Sequence, residues 1–456
     1  MKKQRRLALT EEDKILIISD NLKNGWVRHV DEALHGAISN LDDAPYTSVH
    51  TLRNLQMDRV YVVNESFLVD GNASQKALAF LRDLKKDALV VSETFSEETI
   101  PLLFEHLERI RYNFNRFKTS SKSFPELFYL ADTTTEKGIE KGFAIGAAAN
   151  EVRDMINTPY NYLDAETLAD RVNEWGKDKE QVEVDILDKK AIEKLEMGAF
   201  LGVNLGSEDE PRLIHLTYKG DPENNEHIAL VGKGIMYDTG GYSLKTPKSM
   251  PNMKMDMGGA ATVIGVFKAL YSLKAKVNVS VVIAATDNRI GPEAIVPDDI
   301  LTSAKGTTIE IISTDAEGRL TLADALWYAQ RQGATKLLDV ATLTGSVVAS
   351  LGNQITGAFT NDQTFYKSLH ESAEASKEHV WQLPIKKPHR DALKSYSADM
   401  ANKGGTVAGA SVAAAFLEHF VNDGVPWIHL DIAGTAFNKD KGATGAMVRT
   451  LVNMFA

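Results

Sequence analysis

The chain of 456 residues contains no cysteine. This absence excludes disulfide bonds, a thiol nucleophile, thiolate zinc sites and cysteine-ligated iron–sulfur clusters. The sequence also has no uninterrupted apolar run that approaches the roughly 18 residues of a membrane-spanning helix. The N-terminal stretch MKKQRRLALTEED reaches acidic residues before any apolar segment, so it lacks the pattern of a secretory signal. We therefore expect a cytoplasmic protein without membrane contact.

Positive charge is in deficit, since 51 Lys and Arg residues stand against 62 Asp and Glu residues and give a net charge of −11. Nucleic-acid binding draws its affinity from clustered cations, so this balance argues against a nucleic-acid partner. Hydrophobic residues make up 43% and charged residues 25% of the chain, which is typical of globular proteins. The length predicts more than one domain.

Short β-type runs alternate with helical patterns in the first part of the chain, which predicts an α/β fold. The strand candidates are 14–19, 59–64 and 88–93, and the helix candidates are 74–84 and 97–114. A helix rich in small residues then ends at a proline-containing break. We predict a smaller N-terminal α/β domain over 1–140, a linking helix and boundary over 141–160, and a larger C-terminal domain over 161–456.

The strand candidates of the second half are nearly continuous apolar runs: 227–238, 277–285, 307–313, 335–341 and 426–433. Such strands, separated by helices such as 318–332, predict a mainly parallel central sheet that helices cover on both faces. Ligands of such sheets gather at the carboxyl ends of the strands. We therefore expect the functional site there.

Several familiar catalytic motifs are missing. The sequence has no HExxH helix, no GxSxG elbow and no Walker A loop, and the GKG at 232–234 does not continue into a dinucleotide-binding fingerprint. These absences weaken a zincin, a serine hydrolase and an NAD-dependent enzyme as interpretations.

Charged residues stand instead in or just after the predicted strands. Lys233 lies inside an apolar strand, where a charge is costly unless it is paired, and Asp238 ends that strand. Asp256 is predicted at the N-cap of a helix that begins with two glycines. Each of these residues, taken singly, also has an ordinary structural explanation. Lys233 is then a lysine that reaches solvent, Asp238 forms a turn and Asp256 caps a helix.

The segment STDAEGR (313–319) is the third of these stretches. In an extended backbone Asp315 and Glu317 point to the same side, so both carboxylates reach one ion, and Arg319 follows at the same parity. Acidic residues before a helix also favour its dipole, but a helix cap explains one acid and not the whole arrangement.

Four carboxylates in one crevice raise each other's pKa unless cations lie among them. Oxygen ligands suit Mg²⁺, Mn²⁺ or Zn²⁺, and four acids indicate two bridged ions about 3.5–4 Å apart. A lysine beside two dications loses its proton readily, so Lys233 is a candidate nitrogen ligand. Lys245 stays charged and is a candidate for stabilising an oxyanion.

At these residues the sequence resembles the leucyl aminopeptidase family, metallopeptidases that are also called cytosol aminopeptidases. The matching stretches are VGKGIMYDTGGYSLK (231–245), MKMDMGGAATV (253–263), STDAEGRLTLADAL (313–326), ATLTG (341–345), HLDIAGTAF (429–437) and ATGAMVRTLV (443–452). They follow the family's order and spacing, and they cover the catalytic half of the chain. The first 140 residues carry no comparable motif.

The resemblance implies a release of N-terminal amino acids, with a leucine-type preference, by a hydroxide between two metal ions, Mn or Zn and possibly Mg. It implies that Lys233, Asp238, Asp256 and Glu317 bind one ion and that Asp238, Asp315 and Glu317 bind the other. Lys245 and Arg319 correspond to the two catalytic residues. Lys245 polarises the scissile carbonyl, and Arg319 holds a bicarbonate that relays a proton.

The resemblance also implies how the substrate binds. The free α-amine of the peptide ligates a metal, the backbone of Thr342, Leu343 and Gly345 receives the peptide, and Met253 and Ala433, with Ala436, line the side-chain pocket. Members of the family form hexamers whose active sites face an inner cavity, so we expect a homohexamer.

The chain departs from the family pattern at a few positions. Ser313 replaces the usual Asn, Asp287 and Arg289 replace the usual Glu and Met, and the turn at 297–299 reads Pro-Asp-Asp instead of Pro-Gly-Asp. These positions lie outside the metal set and bear on loop conformation, substrate preference or assembly.

Two other functions remain open at this stage. Some members of the family have a side role as DNA-binding architectural factors, against which the acidic balance of this chain speaks. The same metal pair also suits another hydrolysis, such as phosphoester cleavage, because Lys245 and Arg319 stabilise phosphate as well as they stabilise a diolate.

Overall fold

The computed structural model describes residues 2–4, 15–39, 44–50, 59–69, 76, 78–120 and 124–456. Most of the basic N-terminal stretch considered above lies outside the described residues. The chain divides into two compact units, residues 1–150 and 151–456. The division falls inside one long helix, Glu136–Asn157, and within the segment 141–160.

The N-terminal unit contains a six-stranded sheet with the strand order β1-β6-β5-β2-β4-β3. Its strands are β1 (Lys2–Gln4), β2 (Ile15–Ser19), β3 (Tyr46–His50), β4 (Arg59–Val63), β5 (Ala88–Val91) and β6 (Leu127–Leu130). All strand pairs are parallel except β3 with β4. The central strands β2 and β5 are buried along their whole length, as their apolar sequences predict.

The described helices of this unit are α1 (Gly25–Ala33), α2 (Glu65–Val69), α3 (Ile100–Ile110) and the part of α4 (Glu136–Asn157) up to residue 150, with 3₁₀ helices at Ala79–Asp83 and Ser92–Thr94. The helix predicted at 97–114 is therefore confirmed in part as α3. The helix predicted at 74–84 is confirmed only in part, because residue 76 is α-helical whereas residues 79–83 form a 3₁₀ helix; residues 74, 75 and 77 lie outside the described residues.

The C-terminal unit is built on an eight-stranded sheet with the order β15-β14-β17-β13-β9-β10-β8-β7. Its strands are β7 (Val182–Leu187), β8 (Arg212–Lys219), β9 (Ile228–Asp238), β10 (Asn278–Asn288), β13 (Lys336–Ala341), β14 (Thr356–Thr360), β15 (Val380–Gln382) and β17 (Trp427–Asp431). The four central strands β17, β13, β9 and β10 are parallel to one another. The predicted fold class, with a small N-terminal sheet and a large, mainly parallel sheet, is confirmed.

Helices cover the large sheet because its central strands are apolar on both faces. They are α5 (Ala165–Gly176), α6 (Lys189–Lys194), α7 (Gly198–Asn204), α8 (Gly258–Ser272), α9 (Gly318–Arg331), α10 (Gly345–Leu351), α11 (Gln363–Ser376), α12 (Lys387–Asp391), α13 (Gly409–Glu418) and α14 (Val448–Phe455). Two 3₁₀ helices lie at Tyr160–Tyr162 and Met253–Met257. Helices α8 and α9 are buried nearly all round. No helix among the described residues is both long enough and apolar enough to cross a membrane.

The strand predicted at 307–313 does not join the large sheet, so this prediction was wrong. Residues 308–310 form β12 (Thr308–Glu310), which pairs with β11 (Ile300–Thr302) and β16 (Met400–Ala401) in a separate three-stranded sheet. A two-stranded ribbon, β18 (Phe437–Asn438) and β19 (Gly442–Ala443), follows β17. The acidic segment 313–319 is therefore carried by the small sheet, whereas Lys233 and Asp238 belong to the large one.

Candidate active site

Lys233 and Asp238 lie on β9, the strand between β13 and β10 at the centre of the large sheet. Lys233 is 3% exposed, and its Nζ lies 2.7 Å from Asp256 Oδ2 and 3.0 Å from Glu317 Oε1. It also donates a hydrogen bond to the carbonyl of Thr342 over 3.2 Å. A buried ammonium is stable here because two carboxylates and a carbonyl replace its hydration.

Asp238 ends β9 and opens a glycine turn. Its Oδ1 accepts hydrogen bonds from the Gly240 amide and the Asn288 side chain, both over 2.8 Å, and its Oδ2 lies 2.7 Å from Lys245 Nζ. Gly240 has φ +86°, a conformation that favours glycine. This turn carries the chain from the strand end to Lys245, whose Nζ also lies 2.5 Å from Asp315 Oδ1.

Asp315 and Glu317 come together through a turn and not through an extended backbone. The Ala316 amide donates to the Ser313 carbonyl over 3.3 Å, and Glu317 has helical φ and ψ (−76°, −39°) directly before α9. The extended geometry predicted for this segment was therefore wrong. Both carboxylates nevertheless reach Asp238: one oxygen from each of the three residues lies within 4.8 Å of the other two.

Asp256 lies in the 3₁₀ helix that precedes α8, so its predicted place at the N-cap was wrong; the N-cap is Met257. Its carboxylate joins the cluster through Lys233, and its Oδ1 accepts a hydrogen bond from the Thr342 hydroxyl over 2.9 Å. The four predicted acidic residues therefore lie around two lysines, Lys233 and Lys245.

The acids of this cluster titrate against one another. Burial, reinforced by the charges of Glu317 and Asp256, raises the pKa of Asp238. Burial also raises the pKa of Asp256 and of Asp315. Burial opposes ionisation of Glu317 as well, but Lys233 and Lys245 outweigh it and hold the pKa of this carboxyl below its usual value. The cluster therefore carries more acid than the two lysines neutralise, which is a charge pattern that attracts cations.

The donor set fits divalent metal ions. It consists of carboxylate oxygens and one amine, which are ligands of Mg²⁺, Mn²⁺ and Zn²⁺. Glu317 is 2% exposed, and its buried Oε2 has no hydrogen-bond partner among the described residues. A buried carboxylate oxygen needs a partner, and a bound cation supplies one.

Arg319 follows in the first turn of α9 and is buried. Its Nη1 donates to the carbonyl of Asn402 over 2.8 Å, while its buried Nε has no partner among the described residues. Burial lowers the pKa of Arg319 to about 10, so the guanidinium stays charged at neutral pH. A buried cation with a free N–H is suited to an anionic ligand.

The residues predicted to bind substrate lie on neighbouring segments. Thr342 follows β13 and is bonded to Asp256, as described above; Leu343 is half-buried and Gly345 is exposed at the start of α10. Met253 begins the 3₁₀ helix of Asp256 and is half-buried. Ala433 follows β17 and is half-buried, and its amide donates to Asp431 over 3.2 Å.

Three site residues escaped the sequence analysis. Asn288, at the end of β10, donates to Asp238 and to the Thr314 carbonyl. Asn402 accepts from the Ile312 and Ser313 amides and donates to the Ser313 carbonyl, so it fixes the backbone before the acidic turn. Asp431 accepts hydrogen bonds from the Leu343 amide and the Thr344 hydroxyl, which follow Thr342. Only the last lies inside a family-like motif, HLDIAGTAF, and that motif was the available signal.

The chain is similar to known proteins over most of its length. Residues 150–452 match the sequence model of the cytosol aminopeptidase family, catalytic domain. The chain is 42% identical over 396 residues to a probable cytosol aminopeptidase of Bacillus subtilis (strain 168), which covers 82% of this chain and 79% of the relative. It is 43% identical over 363 residues to a probable cytosol aminopeptidase of Fusobacterium nucleatum, which covers 78% and 75%.

A solved structure of a mutant tomato leucine aminopeptidase superposes with a TM-score of 0.85 at 32% identity, over 100% of this chain and 95% of that chain. The fold is that of a leucine aminopeptidase, and the matched family is one of metallopeptidases. Within this class, the chain belongs to the cytosol aminopeptidase family, and it has that family's aminopeptidase activity. The predicted family, enzyme class and general function are confirmed.

Proposed function

We propose that the protein releases N-terminal residues, with a preference for leucine-type side chains, by means of two divalent metal ions. Lys233, Asp238, Asp256 and Glu317 hold one ion, and Asp238, Asp315 and Glu317 hold the other. Manganese or zinc is the expected metal, with magnesium as an alternative. The observation that carries the proposal is the approach of Asp238, Asp315 and Glu317, whose oxygens lie within 4.8 Å of one another beside the Lys233–Asp256 ion pair.

The bound metal pair supplies a nucleophilic water at neutral pH and a Lewis acid for the scissile carbonyl. Lys245 adds a fixed positive charge to this site. Its Nζ lies between Asp238 and Asp315, at 2.7 and 2.5 Å, and its side chain is 15% exposed, so it borders both the acidic cluster and the accessible space. In this position the ammonium polarises the substrate carbonyl and stabilises the oxyanion that forms from it.

In this proposal Arg319 would hold a bicarbonate, which would supply a base near the attacking water and an acid near the leaving amine. The buried guanidinium is held from one side by the Asn402 carbonyl, and its Nε is available for an anion. A guanidinium binds a planar oxyanion through parallel N–H groups, which bicarbonate matches.

The substrate binds with its free α-amine at the metal site, and this requirement restricts cleavage to the first peptide bond. The backbone of Thr342, Leu343 and Gly345 receives the peptide, and Met253 and Ala433 line the pocket for the first side chain. The half-buried state of Leu343, Met253 and Ala433 supports their access to a ligand.

Family membership further supports a homohexamer. The relatives' name, cytosol aminopeptidase, supports a location in the cytoplasm. Light scattering coupled to size exclusion tests the assembly, because six subunits of 50.1 kDa are readily distinguished from a monomer or a dimer.

The chemistry is tested by the release of leucine from a Leu-peptide by metal-stripped protein, after Mn²⁺, Zn²⁺ or Mg²⁺ is added singly. We expect metal-dependent release, two ions per subunit by metal analysis, and no cleavage of the N-acetylated peptide. Glu317→Gln keeps the size of the side chain and removes its charge, so this variant should bind less metal and lose activity. Full activity of Glu317→Gln with normal metal content would refute the ligand set.

A further inference from the structure

The segment Thr342–Gly345, here named the β13–α10 loop, is anchored at both ends. Its first residue, Thr342, is bonded to Asp256 through its hydroxyl and to Lys233 through its carbonyl. Its other anchor is Asp431, the last residue of β17, which lies opposite Ala341 in the parallel pairing of β13 and β17. The loop therefore connects the acidic cluster to the end of a second strand.

Asp431 is 1% exposed, and both of its carboxylate oxygens are directed at this loop. Oδ1 accepts hydrogen bonds from the amides of Leu343 (3.1 Å) and Thr344 (3.4 Å), and Oδ2 accepts from the Thr344 hydroxyl (2.7 Å). Oδ1 also accepts from the amide of Ala433 (3.2 Å). One buried charge thus fixes the loop on one side and the segment after β17 on the other.

The Thr344 hydroxyl extends this arrangement into α10. It is the N-cap of the helix and accepts a hydrogen bond from the Val347 amide over 3.1 Å. Because Asp431 takes up the Leu343 and Thr344 amides, these two groups face the protein interior. The two hydrogen bonds therefore fix the orientation of the peptide groups of the loop relative to its accessible side.

A second buried carboxylate provides a contrast. Asp339 on β13 accepts from the Trp427 indole (2.7 Å) and pairs with His429 (2.5 Å), and it is fully buried. Each of its two oxygens is engaged by a side chain of β17, so it stabilises the interior of the sheet.

We propose that Asp431 is a positioning residue for substrate binding: its carboxylate holds the Leu343 and Thr344 amides inward and so presents the loop backbone, together with Ala433, to the peptide. This inference rests on the proposed role of Thr342, Leu343 and Gly345 as the peptide-binding stretch. Contacts of the peptide backbone with a fixed loop form in the ground state and persist in the transition state, so their loss raises KM more than it lowers kcat.

The test uses metal-loaded enzyme and a Leu-peptide, with three variants. Asp431→Asn keeps the shape of the side chain and removes its charge; Thr344→Val removes the hydroxyl that bonds to Asp431, and Thr344→Ser keeps it. We expect KM to rise about tenfold in Asp431→Asn and in Thr344→Val, with kcat changed less than about threefold, and to stay near the wild-type value in Thr344→Ser.

Hydrogen–deuterium exchange gives a readout that is independent of turnover. Exchange of the peptide that covers 342–347 should become faster in Asp431→Asn. Asp339→Asn is the matched control, because it removes an equally buried charge: we expect a lower melting temperature with an unchanged KM and unchanged exchange in this peptide. A fall in melting temperature without a rise in KM for Asp431→Asn would reduce Asp431 to a structural role and overturn the proposal.

One more variant, Gly345→Leu, separates this inference from the function on which it rests. A Cβ at Gly345 meets no atom within 4 Å, so Gly345→Leu is tolerated by the fold and projects into the accessible space. An unchanged KM in Gly345→Leu would show that the loop does not receive the peptide. A raised KM in Gly345→Leu combined with an unchanged KM in Asp431→Asn would refute only the positioning role.

Discussion

Gly318 lies against the side chain of Lys233 so closely that a Cβ at Gly318 would be 2.3 Å from Lys233 Cε. The glycine begins α9, directly after Glu317, and the lysine lies on β9. The absent side chain leaves the space through which Lys233 reaches Asp256 and Glu317. The Lys233 side chain thus occupies the space that a side chain at position 318 would fill.

Gly318→Ala should therefore displace the Lys233 ammonium. Because Lys233 is flexible, the steric cost is small, but its Nζ leaves the position between Asp256 and Glu317. We expect the affinity for Mn²⁺ or Zn²⁺ to fall about tenfold by calorimetry, with a melting temperature close to that of the wild type. Gly25→Ala is the control, since a Cβ there meets no atom within 4 Å. Unchanged metal affinity in Gly318→Ala would remove Lys233 from the ligand set.

Asn402→Ala should loosen the acidic turn. The Asn402 side chain makes three hydrogen bonds to Ile312 and Ser313, and these fix the backbone that leads to Asp315 and Glu317. We expect a loss of about 1–3 kcal/mol in the free energy of unfolding and weaker metal binding. Asn361→Ala removes a comparable clamp on the backbone of Val425 and Trp427, far along the chain from the acidic turn. It should cost stability alone; equal metal affinities in the two variants would contradict the prediction.

Stability should depend on pH through Asp324, a fully buried residue of α9. Its oxygens accept from the amides of Phe200 (2.9 Å) and Ala304 (2.8 Å), and burial raises its pKa to about 7. In the unfolded chain this group ionises near pH 4, so between about pH 4 and 7 the folded state holds the proton that the unfolded state has lost. The contribution of Asp324 to stability is therefore present below about pH 4 and is lost as the pH rises through 7.

The pH dependence of the Asp324 contribution is measured by urea unfolding of metal-stripped protein at pH values between about 4.5 and 8. Asp324→Asn should be less stable throughout, because its amide N–H₂ faces a backbone donor. The stability advantage of the wild type over Asp324→Asn should shrink as the pH rises. A constant difference would mean that Asp324 does not titrate in this range.

Arg289→Met restores the residue that the family usually carries, and it should destabilise this chain. Arg289 Nε lies 2.7 Å from Asp287 Oδ2, and the guanidinium stacks on Tyr160 at 4.3 Å. Asp287 is buried, so the variant leaves its carboxylate with the Ser207 hydroxyl as its remaining side-chain donor. We expect a loss of about 1–3 kcal/mol in the free energy of unfolding, part of which Asp287→Asn recovers when added to Arg289→Met. Additive effects of the two substitutions would show that the pair is not coupled.

The sequence predicted the elements with strong periodicity or continuous apolar runs. The strand at 227–238 is observed at 228–238, and the helix at 318–332 is observed at 318–331. The meeting of Asp238 with Asp315 and Glu317 was also anticipated, because charge in apolar surroundings requires partners.

The sequence did not reveal how that meeting is achieved. An apolar run does not indicate which sheet it joins, so the apolar segment 307–313 does not reveal that its strand belongs to the small sheet. Asn402 and Asp431 act on Ser313 and Leu343 across 89 and 88 residues of chain. No local pattern encodes such contacts, since they depend on the positions of strand ends that the sequence does not align.

The acidic turn and Lys233 belong to different sheets, and this has a consequence for when the protein first becomes active. Asp315 and Glu317 extend from the three-stranded sheet, whose strands come from residues 300–310 and 400–401, whereas Lys233 and Asp238 extend from the eight-stranded one. Lys233, Asp238, Asp315 and Glu317 come together only after the segments that form both sheets, up to residue 401, have folded and the two sheets have docked. A nascent or partly folded chain therefore cannot cleave the peptides around it, and hydrolysis begins only with the completed native domain.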